Sequence, residues 1–224
     1  MNILALDTST EYCSVALLHD GKLTFREELA GQKHSELILA MIDTLLGASN
    51  LELALLHGVA FGAGPGSFTG LRIACGVAQG LAFGAGLPVV PVGTLLALAE
   101  AAGAPRVVAC LDARMGEIYH AAYQRNGTEW SETVTPNVCK AGAAAALEGG
   151  DWVGCGNGFA VYGDALAARY HGQLAHVHSQ AFPHAREIAQ LAEPVLAAGN
   201  GVPAEQALPI YVRDKVARKM HERT

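Results

Sequence analysis

The stretch "RVVACLDARMGEIYHAAYQ" (106–124) restarts the pattern of "NILALDTSTEYCSVALLHD" (2–20). In both, an apolar run ends on an aspartate, a short turn follows, and a second strand-like run leaves it. Asp112 corresponds to Asp7. A unit that recurs in this way predicts two related lobes, each built around its own sheet. The boundary falls at "AAGAPR". It divides the chain into an N-terminal lobe, 1–103, and a C-terminal lobe, 104–224, which ends in a basic tail.

Each lobe opens as a meander. In the first, "CSVALLH" and "KLTFREEL" flank Asp20-Gly21, a dipeptide suited to a tight hairpin turn. "SELILAMIDTLLGA" then has helical period, and "LHGVAFG" reads as a buried strand. A helix over "TGLRIACGVAQGLAFG", a strand over "LPVVPV" and a helix over "GTLLALAEAAG" complete the lobe. After the restart, "GTEWSETVT" is the third strand and "DWVGCG" a fourth, with helices from about Ala160 and over Ala185 to Ala198. Strands alternating with helices after a meander predict an α/β fold with mixed sheets.

Composition narrows the function classes. Of 224 residues, 51% are apolar and only 16% charged, which excludes a disordered chain and hints at surface that a partner covers. The net charge of −6 argues against a protein that holds nucleic acid by itself. The tail is the exception, with Arg213, Lys215, Arg218, Lys219 and Arg223; it reads as a solvated run before it reads as a phosphate contact. The five cysteines, Cys13, Cys75, Cys110, Cys139 and Cys155, show no CxxC spacing and read as reduced, packed thiols of a cytoplasmic protein. "MNILALDTS" lacks a basic leader and reads as a first strand, and no apolar stretch reads as a membrane span.

"FGAGPGSFTGLRIA" (61–74) poses the sharpest question, because glycine-rich turns before helices cradle phosphates. A Walker loop needs Gly-Lys-Ser/Thr, but Leu71 follows Gly70. The dinucleotide fingerprint counted from Gly64 misses at Thr69. The simpler reading is structural: Gly62, Gly64 and Gly66 permit close backbone approach, and Ser67 or Thr69 caps the next helix. A serine nucleophile at Ser67 is not expected, since its flanks do not form a nucleophile elbow.

"ILALDTSTEYCSVAL", "GAGPGSFTGLRIACGVAQGLAFG", "LDARMGEIYHAAY" and the late "PIYVRD" together resemble the TsaB (YeaZ) family, over nearly the whole chain. That resemblance implies an actin-like ATPase (ASKHA) fold of two ribonuclease-H-like lobes. It implies a non-catalytic subunit of the bacterial machinery for threonylcarbamoyladenosine (t6A) in tRNA. The partners implied are TsaD, as a heterodimer, and the ATPase TsaE. TsaD would transfer threonylcarbamoyl to N6 of adenosine 37 in ANN-decoding tRNAs. A homodimer is expected to be possible in isolation, and tRNA is expected to be met only through the complex. No cofactor and no metal are expected: TsaD binds metal through paired histidines on its second helix, and the corresponding helix here has none.

In active members of the wider fold the two strand-ending aspartates hold metal and water. Here Asp7, Thr8, Ser9 and Asp112 form the candidate nucleotide cleft, and it reads as degenerate, because Ala113, Arg114 and Met115 replace phosphate-wrapping glycines. The rival reading is an active small-molecule kinase or peptidase using Asp7 and Asp112. "GCGNG" (154–158) is either an adenosine-side turn or, more simply, a strand-to-helix turn. His176 and His178 have the spacing of a metal pair on a strand, but with His184 they read as exposed histidines of a connecting segment.

The first two helices carry the candidate partner interface. Leu37, Ile38, Leu39, Met41, Ile42, Leu45 and Leu46 cover about 200° of the first, where a surface helix needs little more than about 100°. On the second, Gly76, Gly80 and Gly84 recur every fourth residue and make a smooth groove. Either both helices are sandwiched within the monomer, or they form a docking pair. A layered fold leaves each outer helix one wet face, which favours docking at Leu37, Met41, Leu45, Gly76, Gly80 and Gly84.

Overall fold

A computed structural model describes residues 1–213. The tail cations Lys215, Arg218, Lys219 and Arg223 lie outside the described residues. The first lobe comprises β1 (Ile3–Asp7), β2 (Tyr12–His19), β3 (Lys22–Leu29), α1 (His34–Ala48), β4 (Gly58–Gly64), α2 (Phe68–Ala85), β5 (Val89–Gly93) and α3 (Thr94–Ala102). The second comprises β6 (Arg106–Asp112), β7 (Ile118–Asn126), β8 (Glu129–Cys139), β9 (Trp152–Cys155), α4 (Gly158–Val161), α5 (Gly163–Arg169), β10 (Leu174–His178) and α6 (Ala185–Ala197).

The sheets have matching orders, β3-β2-β1-β4-β5 and β10-β9-β6-β7-β8. In each, the meander is antiparallel and the later strands join parallel to the first, so the sheets are mixed as expected. Asp7 and Asp112 end the equivalent strands β1 and β6. None of the five cysteines forms a disulfide.

Strand alternation decides what covers each face. Leu4 and Leu6 of β1, with Cys13, Val15 and Leu17 of β2, pack under α1 and α2. Ile3 and Ala5, with Ala16 and Leu18, point the other way and meet Ala185, Ile188, Ala189 and Ala192 of α6. The second sheet repeats the arrangement. Val108 and Cys110 join a core that includes Phe159 of α4 and Leu166 of α5. Val107, Ala109 and Leu111 face Leu95, Leu98 and Ala99 of α3.

Packing runs across the 103/104 division. Each lobe's last helix crosses over: α3 covers the second sheet, α6 covers the first, and the two helices touch each other. Ser14 on β2 even caps α6, its Oγ accepting the Ala185 N–H at 2.9 Å, which satisfies one of the amides that a helix start leaves unpaired. Sequence order cannot reveal this exchange, because a connection of a few residues reaches either sheet.

His176 and His178 do lie on a strand, the exposed edge strand β10. His184 differs from the exposed residue expected. It is only 9% exposed and sits in the first lobe against Tyr12 and Glu27.

Candidate functional site

The turns that follow β1 and β6 face each other across a cavity of about 720 Å³, lined from one lobe by Ser9, Thr10 and Ser67 and from the other by Asp112, Arg114 and Met115. It contains Ser9 and Asp112 of the candidate cleft read from the sequence. Its aspartates are differently disposed. Asp7 is fully buried. Its Oδ1 accepts from the Ser9 amide at 3.0 Å and the Ser9 hydroxyl at 2.9 Å, while Oδ2 is buried without a partner. Burial pushes its pKa to about 7, against the two Ser9 hydrogen bonds and helped by the charge of Glu187 on α6. Asp112 stays at the cleft. Its Oδ1 accepts from the Arg114 amide at 2.9 Å and the Tyr162 hydroxyl at 3.1 Å.

The glycine loop answers the question its sequence raised. Its missing side chains are replaced by oxygens of this same chain. A Cβ on Gly62 would coincide with Asp7 Oδ2, and one on Gly70 with the Thr8 carbonyl. A Cβ on Gly66 would lie 2.5 Å from the Ser9 carbonyl, and one on Gly64 2.5 Å from the Ile210 carbonyl. Gly64 also has φ +123°, which L residues rarely adopt. The Ser67 amide donates to Ser9 O at 2.7 Å, and the Thr8 hydroxyl donates to Gly70 O at 2.6 Å. The glycines thus let two turns interlock. Electronegative oxygens fill the close approaches that an anion would need. Ser67 is the N-cap of α2, its Oγ accepting the Gly70 N–H at 3.3 Å. Thr8 and Ser9 are tied into the interlock and buried, so they are placed as structural groups.

Among the described residues, no group of three or more histidine, cysteine, aspartate or glutamate side chains is placed to hold a metal. "GCGNG" forms the turn from β9 into α4, where Asn157 Oδ1 accepts the Asp112 amide at 2.9 Å.

The candidate interface residues separate into two groups. Met41 and Leu45 lie in the core of the first lobe, with Ile38 and Ile42, and Leu37 packs half-buried against it. Met41 and Leu45 are corrected: α1 turns that part of its wide apolar arc onto β2, leaving them unavailable to a partner. Gly76, Gly80 and Gly84 fall on the opposite side of α2 from Ala74, Ala78 and Ala82, and are exposed. A Cβ added at any of the three would meet nothing within 4 Å. Phe83, 78% exposed, stands beside them, and Leu39 of α1 is 56% exposed.

Over 98% of its length the chain is 39% identical to the tRNA threonylcarbamoyladenosine biosynthesis protein TsaB of Escherichia coli, covering 97% of that protein. The chain belongs to the TsaB family. The Haemophilus influenzae TsaB is 40% identical over 98% of this chain and 96% of its own. The family described as "TsaD: tRNA N6-adenosine threonylcarbamoyltransferase" matches residues 26–220, which relates TsaB to TsaD-type proteins. The solved structure of YeaZ from Pseudomonas aeruginosa superposes with a TM-score of 0.87 at 41% identity, covering 94% of this chain and 99% of that one. The two-lobed actin-like fold expected from the sequence is thereby shown.

Three features of this chain went unread in its sequence. Glu187 sits buried near Asp7, with Oε2 unpartnered. Ile210 seals the glycine loop, although "PIYVRD" marked only a resemblance. Phe83 looked like one more apolar residue of α2; its exposure follows from a register that alanines, not phenylalanine, turn inward.

Proposed function

We propose that this chain is a non-catalytic subunit in t6A synthesis that docks a TsaD-type catalytic partner on the outer face of α2. The glycine stripe carries the reading. A glycine inside a helix costs about 1 kcal/mol relative to alanine. At Gly76, Gly80 and Gly84 nothing within the monomer requires that cost, since a methyl group fits at each. A helix that must be approached closely from outside does require it. Phe83, 78% exposed, offers the same face an apolar anchor.

The cleft supports the non-catalytic half of the proposal. A general base needs access to substrate, and Asp7 has none; a phosphate needs backbone amides, and the glycine loop presents filled spaces instead. In this reading the chain holds TsaD in its working form and helps recruit TsaE, and tRNA is met through the complex. The free chain pairs with itself through the same face.

The test is reconstitution with purified TsaD, TsaE and tRNA. Gly80→Leu and Phe83→Asp, both on exposed positions and therefore expected to fold, should abolish TsaD binding and t6A formation. Asp7→Asn should leave both intact, and the isolated chain should turn over neither ATP nor peptide. Wild-type binding by both helix variants, or ATP turnover lost in Asp7→Asn, refutes the proposal.

A further inference from the structure

The stretch from Ala207 to Tyr211 and on to Arg213 belongs to no helix or strand, yet it is held at successive points. Ala207 O accepts from Gln79 Nε2 at 2.8 Å and from Cys75 Sγ at 3.3 Å, both on α2. The Ile210 amide donates to Ala63 O at 2.7 Å. The Tyr211 hydroxyl accepts from Arg72 Nε at 3.2 Å, and its ring lies 5.6 Å from that of Phe68. Arg213 then crosses to the second lobe. Its Nη2 donates to Glu117 Oε2 at 2.6 Å and its Nη1 reaches Met115 Sδ at 3.6 Å. Ile210, Tyr211 and Arg213 line the cleft.

The turn that Arg213 grips is strained. Arg114, Met115 and Gly116 have φ of 61°, 57° and 80° in succession. Two of these are L residues in the left-handed region, which persists only where surroundings impose it. Burial does not impose it here: the Arg114 side chain is 83% exposed and Met115 is 53% exposed. The turn's own bonds, Ala113 N to Glu117 O and Glu117 N to Arg114 O, close it locally. Arg213 holds Met115 and Glu117 from the far side of the cleft.

We propose that residues 207–213 are an interlobe latch, in which Arg213 keeps the strained 114–116 turn in its cleft-facing form and ties it, through Tyr211 and Ala207, to α2. Release of Arg213 lets the turn relax and the cleft mouth open. The latch is anchored on Arg72, Cys75 and Gln79, so a partner seated on α2 has a mechanical route to the second lobe. That last link rests on the function proposed above; the latch itself does not.

Hydrogen exchange of the full chain tests it, with Arg213→Ala, Glu117→Ala and the double variant Arg114→Gly/Arg213→Ala. Amides of 112–119 should exchange about tenfold faster in both single variants, the scale of one lost charge-assisted hydrogen bond. The double variant should return toward the wild-type rate, because glycine accepts the left-handed region without strain. Amides of β1 and of residues 106–111 in β6 should be unchanged throughout. The latch is refuted if Arg213→Ala leaves 112–119 unaltered, if β1 and residues 106–111 accelerate equally, or if the glycine does not restore protection. Loss of TsaD binding plays no part in these readouts, so the latch and the docking face stand or fall separately.

Discussion

Asp7 Oδ2 occupies the space that a side chain at Gly62 would need, so these two residues, on neighbouring strands β1 and β4, are sized to each other. Gly62→Ala should destabilise the protein by about 1–3 kcal/mol, the range for overpacking a rigid core. Asp7→Ala should rescue much of that loss in the double variant, since it vacates the contested space. Urea titration of the four proteins gives the coupling; additive effects would contradict it.

Asp7 also makes stability depend on pH. Its folded pKa of about 7 lies above the ordinary value of 3.8, so the native state binds the proton more tightly than the unfolded chain does. The contribution is fully present below 3.8 and is lost as pH rises to about 7, by roughly 4 kcal/mol in all. His120 acts in the opposite sense. Burial, with the nearby Arg169 charge, lowers its pKa from 6.5 to about 4, so its contribution is present above 6.5 and lost as pH falls toward 4. The stability of Asp7→Asn relative to wild type should therefore climb between pH 4 and 7 and stay level above. Denaturation at pH 5 and pH 8 checks the slope; a constant difference would mean that Asp7 keeps an ordinary pKa.

Gly76→Ala, Gly80→Ala and Gly84→Ala should each stabilise the monomer, by about 0.5–1 kcal/mol, because a methyl group meets nothing at any of them. The rise in melting temperature should be nearly additive. The same substitutions should weaken TsaD binding, and a triple variant that is more stable and binds normally would remove the reason given for the stripe.

Residues 1–103 expressed alone should fail to fold. Their sheet would expose Ile3, Ala5, Ala16 and Leu18, the face that α6 covers. Fluorescence of a hydrophobic dye and far-ultraviolet circular dichroism would reveal it, and a cooperative melting transition in the fragment would count against it.

Much of this architecture was legible in the amino-acid order. Short apolar runs ending on aspartate in "NILALD" and "RVVACLD" located both central strands, and Asp20-Gly21 located the first hairpin, because those signals are local. The two Asp turns were correctly paired as equivalents. What was not legible depends on contacts distant in sequence. An apolar arc as wide as that of α1 does not say which half meets the sheet, so Met41 and Leu45 were misplaced. Gly76, Gly80 and Gly84 lie exposed on α2, a glycine stripe distinct from the alanine stripe on its buried side. The carbonyl of Ile210 against Gly64, and the burial of His184 beside Tyr12, arise only when chain ends meet.

The crossing of α3 and α6 has a consequence for synthesis. On the ribosome the first sheet emerges early, but the helix that seals its inner face ends at Ala197. At about 5–20 residues per second, Ile3, Ala5, Ala16 and Leu18 wait roughly 5–20 s after the first lobe is made before their cover arrives. Throughout that interval the nascent chain offers an uncovered apolar half-sheet to holdase chaperones or to its neighbours on the polysome. Folding yield should thus depend on the pace of translation through the second lobe more than on any residue of the first.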